Sequence, residues 1–132
     1  MKKSFFILII FFTFFITKSS YGNFDQCITY FNEGDFNSSF NECKYLALQG
    51  DTKAINHLAY MFYTGQGVKQ NITISIALYK IAAKNDNAKA QYNLGVFISR
   101  GVGITKNLLD AAFWFTLSSL NKYETIRETY CL

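Results

Sequence analysis

Two stretches of sequence decide the fold: AINHLAYMFYTGQGV at residues 54–68, and AQYNLGVFISRGVGI at residues 90–104. The second begins 36 residues after the first, and the same offset aligns the residues that follow as far as residue 119. Only five of the thirty aligned pairs are identical, and these are one Ala, one Leu, two Gly and one Asn, residues of packing and backbone geometry. A fixed period of roughly 20–50 residues is typical of repeat proteins, in which each unit buries its apolar face against its neighbours.

Each copy predicts a pair of antiparallel helices. Apolar residues recur at helical spacing on both sides of a Gly-x-Gly loop, at residues 65–67 in the first copy and 101–103 in the second. The loops follow helices rather than strands and lack the third Gly or the Lys-Ser/Thr of a nucleotide-binding loop. We therefore interpret the glycines as helix stops. The four helices predicted here lie at about residues 52–64, 72–84, 88–100 and 108–120.

The period also extends toward both ends of the chain. Asp35, Asn71 and Asn107 are spaced by 36 residues, and each is placed to cap the first turn of a second helix. A helical hairpin with a short turn is therefore predicted before the first full copy. Apolar residues in the tail predict a final helix that caps the array. The predicted boundaries are 23–50 for the hairpin, 51–86 and 87–120 for the two repeats, and 121–132 for the capping helix.

Two of the three cysteines fall in the predicted hairpin. Cys27 and Cys43 lie eight residues either side of Asp35, so they face one another if the two helices are antiparallel. A disulfide between them would close a loop of about 16 residues, worth on the order of 3 kcal/mol in the chain-entropy model. The alternative is two reduced cysteines that pack as small hydrophobic residues. An exported chain favours the disulfide, and Cys131 is then left over.

The N-terminus predicts export. Residues 5–16 are almost wholly apolar and follow Met-Lys-Lys. Twelve helical residues cover ~18 Å, which is short of the ~30 Å hydrocarbon core of a membrane. Residues 1–22 are therefore interpreted as a signal peptide, cleaved after Gly22, that directs the chain to the periplasm or to full secretion. The alternatives are an uncleaved N-terminal anchor and a buried first helix.

The charge of the chain excludes a basic surface for nucleic acid. The net charge is +4, but three of the lysines precede residue 23, and the remainder has ten basic and nine acidic residues. The basic surplus therefore belongs to the predicted signal peptide. After cleavage of that segment, no membrane association is expected.

The sequence offers few residues for catalysis. His57 is the only histidine, so no histidine cluster, Cys-His site or Ser-His triad is expected, and we predict no metal and no cofactor. The carboxylates are scattered without an acid/base pair. The predicted protein is therefore not an enzyme.

The repeated pattern resembles that of a known family. Ala-x-x-x-Leu-Gly/Ala-x-x-aromatic-x-x-Gly-x-Gly-Val, followed by Asn-aliphatic and a helix ending in Ala-Ala, is similar to the Sel1-like repeats, 36-residue relatives of the tetratricopeptide repeat. The resemblance covers residues 35–119. Ser75 departs from it, since the family has Ala there, and Leu78 replaces a usual aromatic residue. The resemblance implies a short right-handed superhelix of antiparallel helix pairs, an all-α solenoid of about two and a half to three repeats.

The resemblance also implies a function. Proteins with such repeats are generally adaptors or scaffolds that bind another protein or peptide in a groove lined by the first helices. The mixture of Tyr, Asn and cations at the implied positions suits peptide recognition; the alternative is that these are ordinary solvated positions. The groove positions that the resemblance implies here are Lys53, Asn56, Tyr60, Tyr63, Lys89, Tyr92, Ser99 and Arg100.

Two other functions are weighed against this scaffold. Ser119 and Lys122 match the Ser-x-x-Lys motif of penicillin-interacting enzymes, and some cysteine-rich exported relatives of this repeat family bind or hydrolyse β-lactams. No Ser-Asp-Asn or Lys-Thr-Gly companion motif follows. The third hypothesis is self-association, in which an open end of the short array pairs with a second copy or with another repeat protein.

Overall fold

The computed structural model describes residues 23–130 of the chain, and the side chains of residues 23–125. Helices make up most of this part, and it contains no strand. The predicted signal peptide at 1–22 and Cys131 lie outside the described residues. The helices are α1 (Phe24–Asn32), α2 (Phe36–Leu48), α3 (Thr52–Thr64), α4 (Ile72–Lys84), α5 (Ala88–Arg100) and α6 (Leu108–Tyr130).

Short polar side chains fix where the helices begin. Asp51 accepts hydrogen bonds from the backbone N–H groups of Lys53, at 2.8 Å, and Ala54, at 3.0 Å, at the start of α3. The three predicted N-caps of the second helices are confirmed, because each side chain accepts a bond from a backbone N–H of its first turn. These caps are Asp35 on α2, Asn71 on α4 and Asn107 on α6. They satisfy N–H groups that have no partner within the helix.

The Gly-x-Gly loops end α3 and α5, as predicted. Gly65 and Gly101 adopt left-handed φ values of 77° and 71°, the conformation in which a helix ends at low steric cost when the residue is glycine. The second glycine of each loop has a further role. A Cβ on Gly67 would overlap the backbone carbonyl of Phe36 at the start of α2. The second glycine thus lets the loop contact the second helix of the preceding unit.

The core follows the order of the chain. Each helix packs chiefly on the helices next to it in sequence, and α1 also touches α3. One apolar cluster joins α1, α2 and α3 around the fully buried Cys27, Cys43 and Met61. A second joins α3 to α6 around Tyr79 and Leu94. This serial packing is the arrangement expected of a solenoid.

The last helix is longer than predicted. No boundary separates a capping helix at residue 121, because α6 continues without interruption to Tyr130. The physical reason lies in the composition of the tail, since no Gly follows Gly103 and the chain contains no Pro. The amide of Asn121 also donates to Oε1 of the buried Gln91, at 3.0 Å, and so ties this part of α6 to α5.

Candidate protein-binding surface

A cavity of about 490 Å³ lies between α3, α5 and the C-terminal half of α6. Three of the eight predicted groove residues, Asn56, Lys89 and Tyr92, line it. We call it the central cavity. Its complete lining is Asn56 from α3, Ala88, Lys89, Tyr92 and Asn93 from α5, and Ser118, Lys122 and Thr125 from α6.

Hydrogen bonds fix the walls of the central cavity. The amide of Asn93 donates to Oδ1 of Asn56 at 3.5 Å and so joins α5 to α3. The hydroxyl of Ser118 donates to the backbone carbonyl of Ala88 at 2.7 Å and joins α6 to the first turn of α5. Polar side chains that are held in this way lose little further conformational freedom when a ligand binds.

The central cavity combines an aromatic side chain with positive charge. Tyr92 is 56% exposed, and its ring packs against that of Phe115 with the centroids 5.4 Å apart. Lys89 and Lys122 are exposed at its rim. No acidic side chain belongs to the lining among the described residues. A fixed aromatic ring beside two cations suits a segment that carries carboxylates.

The other predicted groove residues lie outside the central cavity. Lys53 faces a separate shallow cavity between the N-terminal ends of α1 and α3. Tyr63 and Arg100 line a small cavity of about 20 Å³ at the opposite ends of α3 and α5. The hydroxyl of Ser99 donates to the Val96 carbonyl of its own helix at 2.9 Å. The eight positions therefore form several local surfaces rather than one continuous groove.

Tyr60 packs toward the N-terminal hairpin. Its ring centroid lies 6.0 Å from that of Phe31 in α1 and 6.2 Å from that of His57 in α3. Tyr60 is nevertheless 40% exposed. It belongs to an aromatic patch over the junction of α1 and α3.

Sequence reasoning missed half of the central cavity. Asn93 is one residue beyond the position aligned with Asn56, so the 36-residue period alone does not pair them. Ser118 and Lys122 were not assigned to this wall, because a boundary was predicted near residue 120. Their spacing of four residues places them on one face of a continuous helix, which is the signal that identifies them.

Ser119 and Lys122 do not form a nucleophile–base pair. Both side chains are exposed, and both line a shallow cavity of about 430 Å³ beside Tyr92 and Phe115. No hydrogen bond joins them in the described structure. A Ser-x-x-Lys nucleophile needs a base within hydrogen-bond reach, so the geometry does not favour the β-lactam function.

A disulfide joins α1 to α2. It links Cys27 and Cys43, whose Cα atoms are 5.5 Å apart, and both residues are fully buried. The disulfide form of the hairpin is the one present, rather than the two reduced cysteines of the alternative interpretation. Ser39 packs beside it and donates its hydroxyl to the Cys27 carbonyl at 2.9 Å.

The prediction that no Cys-His site can form is wrong. His57, on α3, places a ring nitrogen close to the sulfur atoms of Cys27 and Cys43, and the three ligand atoms all lie within 4.8 Å of one another. One histidine is enough, because adjacent units bring the first helix of the repeat onto the preceding hairpin. We call these three residues the Cys-His cluster.

His57 is held among aromatic rings. Its centroid lies 4.7 Å from that of Phe31 and 6.3 Å from that of Phe24, both in edge-on geometry. Its Nε2 atom is buried and has no hydrogen-bond partner in the described part of the chain. Burial lowers the pKa of His57 below its ordinary value, because the charged imidazolium loses solvation. The neutral imidazole is therefore favoured.

The family model for the Sel1 repeat matches residues 52–87 and 88–123. These two segments make up more than half of the chain. The chain belongs to the Sel1 repeat family. Sel1 repeats thus account for α3 to α5 and most of α6, and the α1–α2 hairpin precedes them. No helix among the described residues combines the length and the apolar character needed to cross a membrane.

Curated relatives of this Sel1 repeat chain are much longer proteins. Protein sel-1 homolog 2 of Mus musculus is 36% identical over 73 residues, which are 55% of this chain and 11% of that protein. HRD3B of Arabidopsis thaliana, an ERAD-associated E3 ubiquitin-protein ligase component, is 37% identical over 57 residues, which are 42% of this chain and 9% of that protein. The chain thus spans about a tenth of the length of these relatives.

Solved structures confirm the predicted fold class. A Sel1 repeat protein from Oxalobacter formigenes superposes with a TM-score of 0.68 and 29% identity, over 73% of this chain and 40% of that one. A protective antigen of uropathogenic Escherichia coli with an SLR fold superposes with a TM-score of 0.65 and 30% identity, over 74% of this chain and 23% of that one. The fold is an all-α Sel1-type solenoid.

Proposed function

We propose that this Sel1 repeat chain is a non-enzymatic scaffold that binds another protein or a peptide in the central cavity. The observation that carries the proposal is the convergence of three helices on one cavity whose polar walls are held by hydrogen bonds. The partner's side chains would displace water from the ring of Tyr92, the kind of aromatic anchor that dominates protein interfaces.

The charge of the central cavity indicates the chemistry of the partner. Lys89 and Lys122 offer two ammonium groups at the rim, and the described lining has no carboxylate to neutralise them. Asn56 and Asn93 offer amide groups for backbone hydrogen bonds. The partner segment proposed here is therefore extended and acidic, and its association should weaken as salt screens the lysines.

Two charge-reversed variants test this proposal. Lys89→Glu/Lys122→Glu reverses both cations of the central cavity. Lys44→Glu/Lys80→Glu makes the same change in charge at exposed positions on α2 and α4 that do not line it. We expect partner recovered from the exported proteins of the native host to fall at least about tenfold with the cavity variant, since close charge pairs at interfaces couple by more than about 1.4 kcal/mol.

The control variant should recover as much partner as the wild-type chain. Equal recovery with both variants would remove the central cavity from the proposal. Equal loss with both would show that overall charge, rather than this cavity, governs binding.

We also propose that the chain is exported by residues 1–22. The support is the basic start, the short apolar run and the polar residues before Asn23. Intact-mass measurement of the chain from its native host should give a mature N-terminus at Asn23. A mass that retains the apolar run would favour an N-terminal anchor. Self-association remains a separate hypothesis, and light scattering at several concentrations tests it.

A further inference from the structure

The Cys-His cluster is composed of residues that bind metal ions in other proteins. Two sulfur atoms and one imidazole come from three different helices and lie within 4.8 Å of one another. The sulfur atoms are joined in a disulfide in this structure, so no thiolate is present. Reduction would yield two thiols beside a neutral imidazole, which is the ligand set of many zinc sites.

We propose that the reduced form of this chain binds one Zn²⁺ ion through the sulfur atoms of Cys27 and Cys43 and a ring nitrogen of His57. Oxidation to the disulfide and metal binding are then mutually exclusive states of the same three residues. The junction of the hairpin with the first Sel1 repeat becomes a site that responds to both thiol redox state and zinc.

The distances suit a tetrahedral ion. Bonds of about 2.3 Å to sulfur and about 2.0 Å to nitrogen place neighbouring ligand atoms roughly 3.6–3.8 Å apart. The three atoms are already within 4.8 Å, so movements of about 1 Å by side chains suffice, together with separation of the two sulfur atoms after reduction. Three protein ligands leave the fourth position for water or another small ligand.

The electrostatics of the buried cluster also favour a divalent ion. Two thiolates, one neutral imidazole and one Zn²⁺ sum to zero charge, which limits the cost of burying the site. The burial that disfavours imidazolium keeps the ring nitrogens available as ligands. Coordination through the buried Nε2 of His57 would also give that atom the partner it lacks.

A second residue supports the sulfur ligands. The Ser39 hydroxyl lies 3.5 Å from Sγ of Cys27, and Ser39 is fully buried. A hydroxyl at this distance can donate to a metal-bound thiolate and orient it. Ser39 would therefore act from outside the first coordination sphere.

The chemistry balances in two steps. A thiol or phosphine reductant supplies two electrons, two protons are taken up, and the Cys27–Cys43 bond becomes two thiols while the reductant is oxidised. Zinc then replaces both thiol protons, which pass to the buffer, and forms two Zn–S bonds and one Zn–N bond. Reoxidation by a disulfide or by oxygen returns the two electrons and releases the ion.

Cobalt binding to the full-length chain tests the proposal. Co²⁺ reports thiolate ligands by charge-transfer absorption and tetrahedral geometry by its visible bands, while zinc is silent. Cys131→Ser serves as the background, because Cys27 and Cys43 are then the only thiols. We expect the phosphine-reduced chain to bind one Co²⁺ with both signatures, Zn²⁺ to displace it, and the disulfide form to show neither signature.

Two variants in this background separate the cluster from adventitious binding. His57→Gln removes the nitrogen ligand and should weaken Co²⁺ binding at least about tenfold, since loss of even outer-shell partners of a metal site costs this much. Thr64→Val changes an exposed residue at the end of the same helix and should leave the affinity unchanged.

The absence of thiolate-to-cobalt absorption in the reduced chain would overturn the proposal. An unchanged affinity in His57→Gln would also overturn it, because the site would then consist of the two cysteines alone. Circular dichroism of the same samples addresses unfolding. If reduction lowers helicity, Co²⁺ must restore it together with the absorption bands, and failure to do so also overturns the proposal.

Discussion

The N-terminal hairpin and the two Sel1 repeats place different residues at the same contact between their first and second helices. In the hairpin this contact is the Cys27–Cys43 disulfide. In the last repeat it is the ring of Phe115 lying on Gly95, where an added Cβ would come within 2.8 Å of the ring. Covalent linkage in one unit thus occupies the place of aromatic-on-small packing in another.

Two hydrogen bonds show that these positions correspond. Ser39 donates to the carbonyl of Cys27, and Ser75, 36 residues later, donates to the carbonyl of Ala59. The separations are 12 and 16 residues, so the turn of the hairpin is four residues shorter. The family departure at Ser75 therefore repeats a contact already made in the hairpin. A short hairpin without a Gly-x-Gly loop has less apolar surface to bury, and the disulfide compensates.

The largest expected effect comes from the aromatic residue of the middle unit. Tyr79 is 2% exposed and stands 36 residues after Cys43. Tyr79→Ala should lower the free energy of unfolding by roughly 3–5 kcal/mol, because it removes a buried ring and leaves a cavity. Denaturant unfolding followed by circular dichroism measures it. Tyr45→Ala, at a half-exposed site on α2, should stay within about 0.5 kcal/mol of wild type; similar losses for both would contradict the comparison.

Removal of the disulfide should have the next largest effect. Cys27→Ala/Cys43→Ala opens a 16-residue loop and should cost roughly 3 kcal/mol in the same measurement. Amide hydrogen exchange should show that the loss is concentrated in α1 and α2, because the repeats keep their own packing. Uniform loss of protection through α5 would show instead that the hairpin supports the whole array.

The glycines of the two kinds of turn should differ in their sensitivity. Gly34 in the short turn and Gly67 in the repeat loop have φ values of 83° and 74°, but only Gly67 lies against the backbone of Phe36. Gly34→Ala should cost about 1 kcal/mol from the left-handed conformation. Gly67→Ala should cost at least about twice as much, since the loop must also move away from α2. Equal thermal-melt shifts for the two variants would rule out the proposed contact.

The smallest expected effect belongs to the serine that the units share. Ser75→Ala restores the residue usual in the family and removes the bond to the Ala59 carbonyl, which measures 2.7 Å. The expected loss is about 1 kcal/mol, the net value of one buried hydrogen bond. Chemical denaturation of Ser75→Ala against wild type tests this, and a stabilised variant would show that packing at this site outweighs the bond.

Local patterns predicted most of the fold. The bounds of α3, α4 and α5, the N-caps at Asp35, Asn71 and Asn107, and the left-handed Gly65 and Gly101 all follow from periodicity and from backbone chemistry that acts within a few residues. The length of α6 did not follow, because residues past 120 contain no signal that either stops or continues a helix strongly.

Contacts between units were beyond the sequence. The Cys-His cluster combines residues of the hairpin with His57 of the next unit, and the period pairs His57 with Asn93 rather than with a cysteine. The central cavity likewise depends on how α6 lies beside α5. Such juxtapositions are set by the angle between successive helix pairs, which small differences in packing residues determine.

Site-specific crosslinking tests the central claim, that partners bind in the central cavity, most directly. A benzophenone-bearing phenylalanine replaces Tyr92, which is 56% exposed in the cavity, or Tyr45, which is 50% exposed on α2. Irradiation in the native host should give a covalent adduct with another protein from position 92 and none from position 45. An adduct from position 45 alone, or none from either position, would contradict the account.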